Sequence, residues 1–149
     1  MSENNEEVKD EFVPLKEFTV KRSEWVNGSY ERSFSDQGFK RDRGPSRLLN
    51  NKGFKCCLGF HALACGFTED EIRDKPTPNN LIINLRQTGD KRVENLGVLR
   101  GSYDNNNFAH SSVCERIIAT NDSSLNQYEI EAELTKLFAE IDITIKFED

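Results

Sequence analysis

Apolar and polar residues alternate at both ends of the chain and follow helical spacing in between. In "KEFTVKRSEW", Phe18 and Val20 alternate with Thr19 and Lys21, and Trp25 closes the segment. That is the pattern of a strand with one buried face. At the other end, "IDITIKFED" alternates Ile143, Ile145 and Phe147 with Thr144, Lys146 and Glu148, predicting a second strand. Just before it, Ile130, Leu134, Leu137, Phe138 and Ile141 form an i, i+4, i+7, i+8, i+11 stripe. This stripe predicts a helix from about Gln127 to Glu140.

The middle of the chain is read from its turn and cap residues. "SRLLNNKGFKCC" predicts a hairpin, because Asn50, Asn51 and Gly53 accept the positive φ of a tight turn. From Cys56 to Thr68 there is no Asp, Glu, Lys or Arg, which predicts a buried helix with Gly66 as its stop. Thr68 and Glu71 then form a capping box for a short helix, with Phe67 and Ile72 as its hydrophobic staple. "KPTPNN" breaks the chain. Leu81 to Leu85 fits strand or helix, and "GSYDNNN" is a turn-rich loop. Ser112 and Glu115 make a second capping box ahead of "VCERIIAT".

These elements predict an α+β fold. A small, mostly antiparallel sheet would combine the N-terminal strand, the central hairpin and the C-terminal strand, with three to four helices on one face. The expected organisation is a disordered acidic tail over residues 1–15 and one domain over 16–149, with a long loop at about 27–46.

Composition narrows the function classes. The 149 residues suit one domain with its own core. No apolar run reaches the ~18 residues of a membrane span. The start "MSENNEEVKDEF" lacks the basic-then-apolar order of a secretion signal, so a cytoplasmic protein is expected. A net charge of −6 argues against a general nucleic-acid binder, which needs an excess of Lys and Arg.

Two sets of residues could carry chemistry. Cys57, His61 and Cys65 share one side of a helix at i, i+4, i+8, and His110 and Cys114 repeat the i, i+4 spacing. Thiolate and imidazole are zinc ligands, but structural sites favour C-x2-C knuckles, and none is present. A nucleophile at Cys56 or Cys57, paired with His61 or His110, would need a polar, partly open setting, whereas this segment is apolar. The plain reading is that the cysteines are small core residues. No phosphate-binding glycine loop occurs, and no metal or other cofactor is implied.

The second set is basic. Lys40, Arg41, Arg43 and Arg47 cluster in an otherwise acidic chain, with Trp25, Tyr30, Phe34 and Phe39 close in sequence. Arg forks bind carboxylate and phosphate, and Arg with aromatics marks protein interfaces. Trp25, Lys40, Arg41, Arg43 and Arg47 are therefore the expected partner- or phosphate-binding residues. The plain alternative is a solvated loop balanced by Glu31, Asp36 and Asp42.

The order of "FTVKRSEW", "SRLLNNKGFKCCLGFHALACGF", "ERIIATND" and "AELTKLFAEIDITIKFED" resembles uncharacterised small proteins encoded by bacteriophages and prophages. The likeness covers most of Phe18 to Phe147. It implies expression in the host bacterial cytoplasm and action by binding. The expectation is a non-enzymatic inhibitor of a host protein, such as an immune effector. The alternatives are a sponge for a phosphorylated signalling nucleotide, with Trp25 stacked on the base, and a zinc-stabilised or thiol-dependent accessory protein. A homo-oligomer stays open, and no membrane partner is expected.

Overall fold

The computed structural model describes residues 14–28, 34–35, 38–39, 43–85, 92–97, 99 and 113–149. Most of the predicted acidic tail, Lys40, Arg41, His110 and Ser112 lie outside the described residues.

The first strand, β1 (Glu17–Lys21), runs into a 3-10 turn at Arg22–Glu24. The last strand, β4 (Thr144–Glu148), lies parallel to it, with Glu17 opposite Thr144 and Lys21 opposite Glu148. The Thr144 N–H donates to the Lys16 carbonyl at 2.8 Å and sets this register. The alternation read from sequence fixes which side chains face in: Phe18, Val20 and Ile145 are buried. Two-residue strands β2 (Phe34–Ser35) and β3 (Gly38–Phe39) form a separate antiparallel ladder.

Six α-helices follow among the described residues: α1 (Cys57–Ala64), α2 (Glu69–Ile72), α3 (Pro78–Leu85), α4 (Arg92–Gly97), α5 (Val113–Asn121) and α6 (Gln127–Ala139). Helix α1 packs on β1 and α6 packs on β4, so the core lies between the parallel pair and these two helices. Phe18 meets Phe138 edge to face at 5.0 Å there.

The sequence dictates how these helices start and stop. Apolar all round, α1 is buried along most of its length. It ends with Gly66 at φ +106°, where the Gly66 N–H donates to Leu63 and the Phe67 N–H to Ala62. Both halves of the Thr68–Glu71 capping box form. Helix α6 buries Ile130, Leu134, Leu137 and Phe138 of the stripe, Ile141 lies just past its end and is half-buried, and the helix starts from an Asn126–Glu129 capping box. The ambiguous Leu81–Leu85 run is helical. Pro78 opens that helix, where its missing N–H costs nothing, and Asn80 accepts the Thr77 N–H.

The expected mostly antiparallel sheet with a central hairpin is not the architecture. The α+β class holds, but the main sheet is the parallel pair of chain ends. The turn itself forms where it was read: Asn50 and Phe54 bond, and Asn50 Oδ1 accepts the N–H groups of Lys52 and Phe54. Its arms then part. Leu49 bridges Arg73 and Lys55 bridges Trp25, each in parallel sense. Alternation and turn residues specify a strand and its inward face, but not its partner or direction.

Candidate interaction surface

A polar corner holds both ends of the loop read at about 27–46, called the basic segment below for Lys40, Arg41, Arg43 and the adjoining Arg47. At the end of α5, Asn121 is 1% exposed. Its Oδ1 accepts the Trp25 indole N–H at 2.8 Å and the Cys57 backbone N–H at 3.1 Å. Its Nδ2 donates to the Val26 carbonyl at 3.0 Å, Asp122 Oδ1 at 2.9 Å and Ser46 Oγ at 3.3 Å. Ser46 Oγ in turn donates to Asp122 Oδ1 at 2.6 Å. Gly28 lies so close to this corner that a Cβ there would stand 1.9 Å from the Ser123 carbonyl oxygen. The chain thus leaves the corner at Gly28 and returns to it at Ser46.

Arg43 fixes the returning end. Its Nη1 donates to the carbonyls of Arg22 at 2.8 Å and Trp25 at 2.7 Å, and its guanidinium carbon lies 5.1 Å from the Phe54 ring centre. Asn50 Nδ2 holds the carbonyls of Arg43 and Pro45. Arg47 is half-buried and donates to the Asp74 carbonyl at 3.1 Å.

The five expected binding residues therefore separate. Trp25 is fully buried, with its ring 5.2 Å from Phe147 and its N–H on Asn121. It is a core residue, and an enclosed indole offers no face to a ligand base. Arg43 anchors the root of the basic segment. Arg47 sits at its rim, and Lys40 and Arg41 lie outside the described residues.

Cys56, Cys57, His61 and Cys65 are interior. His61 is 0% exposed, with ring centres of Phe18 at 5.3 Å and Phe138 at 6.0 Å. Cys65 Sγ lies 3.7 Å from Nδ1 and 3.9 Å from Nε2. Two nearly equal distances show that the sulfur lies along neither ring nitrogen's hydrogen-bonding direction. Burial lowers the His61 pKa to about 4. Burial likewise pushes the Cys56 and Cys65 thiols up to about 12, and Cys57 well above its ordinary value. Protonated thiols are poor nucleophiles and poor metal ligands. Cys114 is half-buried, and no group of three or more His, Cys, Asp or Glu suited to a metal occurs among the described residues.

The His61 environment has a pH consequence. In the unfolded chain the imidazole binds a proton below its ordinary 6.5, while the folded one resists down to about 4. Its contribution is therefore complete above pH 6.5 and declines as pH falls toward 4. Across that window the linkage is worth about 3 kcal/mol. In urea titrations at pH 7 and pH 4.5, His61→Leu is expected to flatten the fall in stability. An unchanged pH slope would contradict the assignment.

Two features escaped the sequence reading. Lys55 is buried, and its Nζ pairs with Glu24 Oε1 at 2.9 Å above the Phe60 ring. That hydrogen bond is the main cause of the lowered Glu24 pKa. Tyr128 is 82% exposed at the start of α6, with Leu125 38% exposed just before it. Its signal was available: two positions before Ile130, Tyr128 falls on the helix face opposite the apolar stripe.

Fold and site together define a small α+β protein with an interior held by buried polar pins. Among the described residues no helix is long and apolar enough to cross a membrane. No protein family matches the chain, and neither curated proteins nor solved structures give a match.

Proposed function

We propose that this is a non-enzymatic binding protein that acts through the basic segment, with Lys40, Arg41 and Arg47 as the groups that meet a partner. The observation that carries this reading is the anchoring of Arg43. Its two bonds to backbone carbonyls and its stack on Phe54 fix the end of the segment to the core. A segment fixed at its root has less conformational entropy to lose on meeting a partner than a free one. The buried thiols and neutral His61 add support, because they leave the conspicuous nucleophiles without an activated form. The phage resemblance makes a host protein the expected partner and inhibition the expected outcome. The nucleotide-sponge alternative loses its base-stacking residue, because Trp25 is enclosed.

The test is capture from host lysate with the wild-type chain and with a Lys40→Ala, Arg41→Ala, Arg47→Ala variant. A specific partner retained by the wild type and lost by the variant is expected. Equal retention by both would overturn the placement.

A further inference from the structure

We infer that the outer edge of β1 pairs with β1 of a second copy of this chain, antiparallel and centred on Thr19. This pairing uses strand residues alone and stands whether or not the basic segment binds a partner. Among the described residues the main sheet has two strands, so β1 has a neighbouring strand on one side only. The Thr144 N–H on the Lys16 carbonyl fixes which backbone groups face that neighbour. Along a parallel ladder, alternate residues turn their N–H and C=O to the same side. Those of Phe18 and Val20 therefore face β4, and those of Glu17, Thr19 and Lys21 face outward. An outward row of backbone donors and acceptors is a template for a further strand.

The sequence of the strand argues that its own copy fits there. Read from either end, Glu17-Phe18-Thr19-Val20-Lys21 is a charge, an apolar residue, threonine, an apolar residue and the opposite charge. Two such strands set antiparallel about Thr19 place Glu17 of each copy opposite Lys21 of the other, and Thr19 opposite Thr19. Phe18 then meets Val20 of the second copy on the buried face. Opposite charges, threonine pairs and aromatic–β-branched pairs are all favourable across an antiparallel ladder. Glu17 and Lys21 are exposed and Thr19 is half-buried, and these three carry the outward backbone groups. Glu17 already meets Lys146 at 3.2 Å, and a carboxylate can accept from two cations. Other registers fit worse. Centred on Phe18, the pairing sets buried Val20 against Lys16, and centred on Val20 it sets buried Phe18 against Arg22. The β4 edge also fits itself less well. Centred on Lys146 it sets lysine against lysine, and centred on Phe147 it sets Asp149 against buried Ile145. The net charge of −6 on each copy opposes association at long range, but screening at physiological salt acts within ~8 Å and leaves the charges across the ladder to decide.

Sedimentation of the full chain across a concentration series tests the pairing, with wild type, Lys21→Glu, and the double swap Glu17→Lys with Lys21→Glu. Wild type is expected to shift from one chain to two as concentration rises. Lys21→Glu, which sets glutamate against glutamate, is expected to dimerise at least tenfold more weakly, and the double swap to restore the dimer. Residue-resolved amide exchange of wild type needs no substitution. The N–H groups of Glu17, Thr19 and Lys21 should exchange at least tenfold more slowly in concentrated than in dilute protein, while those of Phe18 and Val20 stay protected in both. A wild type that remains monomeric, a Lys21→Glu variant that dimerises as wild type does, or a double swap that stays monomeric would each overturn the pairing. So would a dimer whose outward amides exchange at the dilute rate, because its contact would lie elsewhere.

Discussion

Asn121→Ala is expected to lose a large share of the protein's folding free energy. The side chain is a buried hub: truncation leaves the Trp25 indole N–H and the Cys57 N–H without an acceptor, and the Val26 carbonyl without a donor. Each buried group stranded in this way costs about 1–3 kcal/mol. Three such groups cost roughly 3–9 kcal/mol, against a total stability on the order of 5–15 kcal/mol. The Cβ methyl that remains replaces none of these bonds. Trp25 is the single tryptophan of the chain, so its fluorescence reports the affected site directly in a urea titration. A loss below about 1 kcal/mol would show that Asn121 is not the hub described.

Gly59→Ala should be equally severe, for a steric reason. Helix propensity alone favours Ala over Gly by about 1 kcal/mol in a helix interior. Here the new Cβ would stand 1.9 Å from the Leu48 carbonyl oxygen, 2.8 Å from its carbon and 3.0 Å from Lys55 Cβ. The obstacle is backbone, and it belongs to the arm that the turn at Asn50–Gly53 lays across α1. Relief requires moving the helix off that arm, at a cost of at least about 3 kcal/mol, as for a severely overpacked core. Gly53→Ala serves as the contrast. Nothing lies within 4 Å of its Cβ, and only its φ of +89° resists the change. That substitution should cost about 1–2 kcal/mol. Urea midpoints of the two variants measured side by side distinguish a clash from a backbone preference. Near-equal midpoints would contradict the close packing of α1 on Leu48.

Much of this fold can be read locally. The stripe from Ile130 to Phe138, the Thr68–Glu71 box, the Gly66 stop and the alternation of both terminal strands each depend on residues a few positions apart. The Asn126–Glu129 box was legible by the same rule as Thr68–Glu71, and so was the outward face of Tyr128. The parallel sense of the sheet was not, because the pairing of Phe18 with Ile145 joins the two ends of the chain. Alternation is identical whichever way the partner runs.

The site was less legible than the fold, and the failures share a cause. Trp25 beside a run of arginines looks like a recognition surface. Its burial depends on Asn121 and Phe147, which are remote in sequence. Lys55 carries no local signal of burial, which comes from Glu24, 31 positions away. Arg43 reads as a surface contact until the Arg22 and Trp25 carbonyls close around it. In each case the residue type set a capacity for pairing, and long-range packing chose the partner.

We propose that the interior is structural and that binding resides on the basic segment rooted at this corner. Calorimetric titration of the captured partner with wild type and with a Lys40→Glu, Arg41→Glu, Arg47→Glu variant tests it most directly. At least a hundredfold loss of affinity is expected in the variant, with the fluorescence of Trp25 and the melting temperature unchanged. Wild-type affinity in the charge-reversed variant would contradict it.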